Sequence, residues 1–167
     1  MRCERTINKK IFRKKKIFVP EIFGDPALLL PLFYKPNIIE KYKKYIGVIP
    51  HLSNYEKYLN KNINTKKYLL INPSDHWKTV IDKICSCKCI ISSSLHGLIC
   101  SDAYNIPNIW LDEYKLQEGN LKFIDYFLSQ NRNINKINSL SFFQYELLYN
   151  SGNKINLEKL IKVFPFQ

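Results

Sequence analysis

An α/β fold, with a Rossmann-like parallel sheet flanked by helices, follows from three features of the chain. Short apolar runs alternate with stretches of helical periodicity. Tyr68 to Asn72 precedes Trp77, Val80, Ile81 and Ile84, and Cys89 to Ile91 precedes Leu95, Leu98, Ile99 and Ala103. A third apolar run, Ile109-Trp110-Leu111, begins directly after the stop Asn105-Ile106-Pro107. Between the second run and its helix stand Ser92, Ser93 and Ser94, a tight turn from a buried strand into a helix, as open parallel sheets use it.

The elements follow in order. Lys9 to Lys16 is the densest basic run, and Ile17 to Val19 is a short strand candidate. Asp25 is placed to cap a helix whose first position is Pro26, a residue with no N–H to lose there. Asp25 can alternatively point into a cleft as a base or acceptor contact. Ala27 to Leu32 is apolar throughout, so that helix is expected to be buried. Lys44 to His51 reads as a central strand with His51 at its carboxyl end, where ligands sit in doubly wound sheets. Residues 54 to 60 form a helix candidate with Tyr55, Tyr58 and Leu59 on one side. Pro73-Ser74-Asp75 ends the next strand and caps a helix through Cys85, leaving His76 exposed in its first turn.

Beyond the serine turn, Pro107 halts the helix and Ile109 starts the next strand. Asp112-Glu113-Tyr114 lies at that strand's end, and Gly119 breaks the chain. Residues 121 to 130 form a helix with Leu121, Ile124, Phe127 and Leu128 inward. Asn131 to Asn138 reads as a polar linker, and 141 to 149 and 157 to 164 as closing helices. One domain results: a lead-in over 1–35 carrying the basic run and the short helix, an α/β core over 36–130, and the linker with its closing helices over 131–167.

The bulk numbers narrow the classes. The chain has 167 residues, 46% of them hydrophobic, enough for a core of its own. It has no apolar stretch near the ~20 residues of a membrane span, and Met1 is followed by charge rather than by an apolar leader. Five cysteines, an odd number, with no secretion signal, point to reduced thiols and a cytoplasmic location. The Cys85-Ser86-Cys87-Lys88-Cys89 spacing is not that of a zinc site, and no metal or cofactor is expected. With a net charge of +12, the Lys9–Lys16 run is either a solvated face or a peripheral contact with the inner face of a membrane or a phosphorylated acceptor. Nucleic acid is the weaker partner, because no binding motif accompanies the charge.

The serine turn is the chemical centre. Ser92, Ser93, Ser94 and the amides of Leu95 to Gly97 gather hydrogen-bond donors at the positive end of a helix dipole, and His96 adds a charge or a proton. That is an anion site with a proton-transfer group beside it.

The string SSSLHGLI followed by DAYNIPN, with GDPALLLP upstream, resembles the polysaccharide pyruvyl transferase family. Phe123 to Phe127 is similar to a further family pattern. The resemblance spans roughly residues 1 to 130. It implies the C-terminal half of a GT-B-like pair of domains, with an N-terminal half as a candidate separate chain. It also implies phosphoenolpyruvate as donor and a sugar or lipid-linked oligosaccharide as acceptor. His96 and His51 are the implied catalytic residues, and Arg2, Ser92, Ser93, Ser94, Leu95 and Gly97 the donor contacts. Arg2 occupies the place of an arginine in the family's Arg-Gly-x-x-Thr segment, with Cys3 in place of the glycine. Ser94 stands where some relatives carry arginine. Two other readings remain open: half of a GT-B glycosyltransferase using a nucleotide sugar, and a non-catalytic basic binding module.

Overall fold

The computed structural model of the chain describes residues 14, 24–61, 63–112, 120–148 and 157–162. Arg2, the Ile17–Val19 strand candidate and all of the Lys9–Lys16 run except Lys14 lie outside the described residues. Its strands are β1 (Ile46–Ile49), β2 (Tyr68–Leu70), β3 (Cys89–Ser92), β4 (Asn108–Leu111) and β5 (Lys136–Ile137). Its helices are α1 (Leu30–Phe33), α2 (Tyr55–Asn60), α3 (Trp77–Ser86), α4 (Leu95–Ala103), α5 (Asn120–Ser129) and α6 (Leu157–Lys162). The strands form a parallel sheet in the order β2-β1-β3-β4-β5. The expected parallel α/β layer is therefore present. The middle strand is β3, while β1 is second from the edge. The edge strand β2 is half-buried rather than buried, because it has a neighbour on one side alone.

The pleat sorts side chains onto two faces. Ile46, Val48, Cys89, Ile91, Ile109 and Leu111 pack with Tyr58 of α2 on one face. Ile49, Ile71 and Ile90 pack with Ile81 and Ile84 of α3 on the other, where Trp110 meets α4 and α5. Gly47 is required by that second face: a Cβ there would stand 2.5 Å from Cδ1 of Ile90.

Helix ends repeat one device. Asn105 (φ 57°) follows α4 and Asn131 (φ 53°) follows α5, both in the left-handed region. Behind them the Ile106 amide donates to the Ser101 carbonyl at 2.8 Å and the Arg132 amide to the Phe127 carbonyl at 2.9 Å. These are Schellman closures with asparagine in the usual glycine place. They turn Asn108 and Arg132 into a buried cluster with Asp102 and Tyr126.

Several expectations change. Around the lead-in helix, Leu28 and Leu29 are buried but Leu32 and Phe33 are exposed, since one side alone packs on α4. The helix α3 is not capped by Ser74 or Asp75. His76 is its N-cap residue, the Ser74 amide turns back to Oδ1 of Asn72, and Asp75 pairs with Lys83 at 2.7 Å. The buried face of α5 is Phe123, Tyr126 and Phe127, and Leu121 is exposed. Stacking of Phe123 on Trp110, 4.6 Å between centroids and 9° from parallel, sets that rotation. The polar segment 131–138 contains β5 and the buried Arg132, so it is not a plain linker. The helix expected near 141–149 is two 3-10 turns, Leu140–Phe142 and Tyr145–Leu147, separated by extended Phe143.

Candidate functional site

In a parallel sheet of order 2-1-3-4-5, the order in which strands are added reverses between β1 and β3, and the crevice beyond their carboxyl ends is the natural ligand site. The serine turn and His51 sit there. The Ser93 amide donates to the Ile49 carbonyl at 3.0 Å, and the His51 amide donates to Oγ of Ser93 at 2.8 Å. The two loops are thus tied together across the switch point.

Each serine has a different task, fixed by the pleat. Ser92 is fully buried, and its hydroxyl donates toward the Ser94 carbonyl (2.8 Å) and the Ile49 carbonyl (3.2 Å) while accepting from the Ser94 amide (3.0 Å). It builds the turn from inside. Gly97 lies directly over it, where a Cβ would come within 2.4 Å of Oγ of Ser92. Ser93 faces the opposite side and holds His51. Ser94 is the N-cap residue of α4, yet its side chain makes no capping bond, and it lines an open cleft. The first helical bond of α4 runs from the Leu98 amide to the Ser94 carbonyl (3.3 Å). The amides of Leu95, His96 and Gly97 therefore have no carbonyl of α4 to donate to.

His96, in the first turn of α4, has 74% of its side chain exposed and its Nε2 lies 3.9 Å from Oδ2 of Asp25. Oδ1 of Asp25 accepts from the Ala27 amide at 2.8 Å. Asp25 therefore takes the capping role on the 3-10 turn Pro26–Leu29 with one oxygen, while its other oxygen faces the imidazole and it does not line the cleft beside His96.

The cleft beside His96 has a volume of about 360 Å³, within the range of small-molecule sites. Leu30, Ile49, Trp77 and Ile84 give it apolar walls; Asp75, Ser94 and His96 are its polar lining. Trp77 was expected on the inner face of its helix. It is half-exposed at the cleft instead, edge-on to Tyr34 at 5.0 Å. Cys100 also lines the cleft, its thiol pushed up to about 12 by burial, with the negative charge of Asp25 adding to the shift. It is a neutral wall group.

His51 does not share that cleft. It borders a depression of about 20 Å³ with Ser93, Trp110 and Asp112, on the other side of the turn. Its Nδ1 lies 2.9 Å from Oγ of Ser53, which leaves Nε2 for other partners. Asp112 is held by Lys136 at 2.7 Å, an acid just past the end of β4 and a base on β5 that sequence distance had hidden. The contact between Asp25 and His96 was equally invisible in sequence, since nothing local relates positions so far apart.

Comparison with known proteins adds the following. The sequence profile of the polysaccharide pyruvyl transferase family matches residues 4–113. An uncharacterized protein, L143 of Acanthamoeba polyphaga mimivirus, is 37% identical over 111 residues, covering 62% of this chain and 38% of that one. The chain thus matches about two fifths of the length of that relative. No solved structure matches. The expected restriction to a C-terminal half is not borne out, because the profile match lies in the N-terminal part of this chain.

Proposed function

Since the chain belongs to the polysaccharide pyruvyl transferase family, we propose that it takes part in moving the enolpyruvyl carbons of phosphoenolpyruvate onto a sugar, leaving a pyruvate ketal. The donor's carboxylate and phosphate sit at the amino end of α4, on the amides of Leu95 to Gly97 and the hydroxyl of Ser94. His96 gives a proton to the methylene carbon, which makes the central carbon electrophilic. A sugar hydroxyl adds to that carbon, inorganic phosphate leaves, and a second hydroxyl of the same sugar closes the ketal. His51 borders a separate depression across the turn and has no role at the donor in this reading. Ser92, Ser93 and Gly97 shape the turn.

The observation that carries this reading is the uncapped start of α4 opening into a cleft beside an exposed imidazole. A helix start left without a side-chain acceptor suits an anion. The test is thermal unfolding of the full chain with phosphoenolpyruvate and, separately, with a nucleotide sugar. A rise in Tm with phosphoenolpyruvate alone supports the reading. A rise with the nucleotide sugar alone replaces it by glycosyl transfer. No shift with either removes the donor site.

A further inference from the structure

The end of the sheet away from His96 carries an unusual concentration of charge. All strands are parallel, so their amino ends share one edge. Ile46 of β1 lies beside Tyr68 of β2 and Cys89 of β3. The residues just before them are stitched together, with the Ile46 amide donating to the Lys67 carbonyl at 3.0 Å and the Lys88 amide to the Tyr45 carbonyl at 2.9 Å. Neighbouring strands stand about 4.8 Å apart, so Lys44, Lys67 and Lys88 are brought within about 10 Å of one another at the backbone. Lys66 and Lys41 flank them, and all five are exposed. The loops 40–45, 61–67 and 87–88 contain one acid, Glu40, which pairs with Lys43 at 2.7 Å. Among the described residues no ion pair holds Lys44, Lys66, Lys67 or Lys88.

Like charges on adjacent strands repel, and at this spacing salt screens them only in part. Three of the five ammonium groups rest on aromatic rings. Nζ of Lys41, Lys44 and Lys67 lies 5.2, 5.2 and 5.1 Å from the rings of Tyr42, Tyr45 and Tyr68. Cation–π contact leaves each charge free to meet an external anion. We infer that this lysine edge docks the protein on an anionic lipid bilayer, with the His96 cleft turned away from the surface.

Two observations favour a bilayer over nucleic acid. The rings of Tyr42, Tyr45 and Tyr68 are half-buried and each is met by the ammonium group of its neighbouring lysine, a poor platform for base stacking. Among the described residues the cationic side chains of this edge are lysines, with no arginine fork for phosphate recognition. Diffuse ammonium charge above half-buried tyrosines suits a headgroup layer. No helix among the described residues is long and apolar enough to cross a membrane, so the contact is peripheral. This inference does not depend on the donor at His96.

Co-sedimentation of the full chain with phosphatidylcholine–phosphatidylserine vesicles tests it, with phosphatidylcholine vesicles and a single-stranded RNA oligonucleotide as the other arms. Binding to the anionic vesicles should weaken as salt is raised. The triple variant Lys44→Gln, Lys67→Gln, Lys88→Gln should lower partitioning by about 100-fold, about fivefold per lysine near the surface. A control pair, Lys78→Gln with Lys122→Gln, should leave it within about twofold. Circular dichroism verifies that the triple variant is folded. The inference is overturned by absence of vesicle binding at low salt, by a triple variant that binds as the native chain does, or by tighter binding to RNA than to anionic vesicles.

Discussion

Nη1 of Arg132 donates to Oδ2 of Asp102 across 2.8 Å, with the two side chains 0% and 2% exposed. The same carboxylate accepts from the Tyr126 hydroxyl and from Nδ2 of Asn108, both at 2.7 Å, and Nη2 of Arg132 donates to Oδ1 of Asn108 at 2.9 Å. This cluster pins the end of α4, whose start carries His96, to β4 and α5. Removing one partner strands a buried charge. Asp102→Ala is expected to cost about 3–5 kcal/mol in urea unfolding. The double variant Asp102→Asn, Arg132→Met should recover part of that loss. A double-variant loss equal to the sum of the losses of Asp102→Asn and Arg132→Met alone would contradict a coupled pair.

Gly97→Ala drives a methyl into Oγ of Ser92, 2.4 Å away, and close to Cδ1 of Ile49 at 3.1 Å. It should destabilise by about 1–3 kcal/mol, the usual range for overpacking. Ser92→Ala removes the clashing oxygen, so Gly97→Ala should cost clearly less in that background. Thermal unfolding of the four proteins of the cycle checks this. Additive losses would mean that the contact does not limit the site.

His96 is an exposed side chain on a helix whose packing lies elsewhere. His96→Asn should therefore leave stability within about 0.5 kcal/mol while abolishing the Tm shift given by phosphoenolpyruvate. Ligand at 100 times its Kd adds about 2.7 kcal/mol, so the loss is easily read. A variant that still responds to the donor would show that the imidazole does not hold it, and ketal formation by that variant would move the proton-transfer role off His96.

Asp25 separates two functions in one carboxylate. Asp25→Ser keeps an acceptor for the Ala27 amide and removes the charge facing His96. Asp25→Ala removes both and should cost about 1 kcal/mol more in unfolding free energy than the serine variant. Urea unfolding of the two variants checks this, and equal losses would show that the Ala27 amide does not depend on an acceptor at position 25.

Burial pushes the thiols of Cys85, Cys87 and Cys100 up to about 12 and that of Cys89 up to about 11. At pH 8 these groups are neutral, and iodoacetamide should label their peptides slowly in the folded chain and fast in denaturant. The unfolded thiols ionise near their ordinary pKa, at about 8.5. Above that pH the unfolded state binds fewer protons than the folded one. Stability should therefore be flat below about pH 8 and fall as pH rises toward 12. Rapid labelling of folded protein at pH 8 would contradict the burial.

The strands legible in the sequence were those with apolar runs of three or more: β1, β2, β3 and β4 stand within Lys44 to His51 and Tyr68 to Asn72 and at Cys89 to Ile91 and Ile109 to Leu111. The strand β5 is two residues long, begins with lysine and lies among asparagines, so no local pattern marked it. Arg132 looked like linker charge; its burial depends on partners from three other elements. Asn105 and Asn131 carried a readable signal, since asparagine tolerates the left-handed cap, but Pro107 drew the reading toward a simple stop. The serine turn was legible because its chemistry is contiguous. Which serine faces which way is a matter of pleat and neighbours: Ser92 inward under Gly97, Ser93 toward His51, Ser94 to the cleft.

The place of β1 between β2 and β3 governs how the chain can assemble. Every residue of β1 is buried, and its second neighbour ends at Ser92, more than forty positions later. A nascent chain emerging from the ribosome exposes Ile46, Val48 and Ile49 until that distant segment arrives. The interval during which β3 is still being synthesised is accordingly when chaperones have most to hold. Slowing translation across it should raise the insoluble fraction more than slowing it anywhere after Ser92.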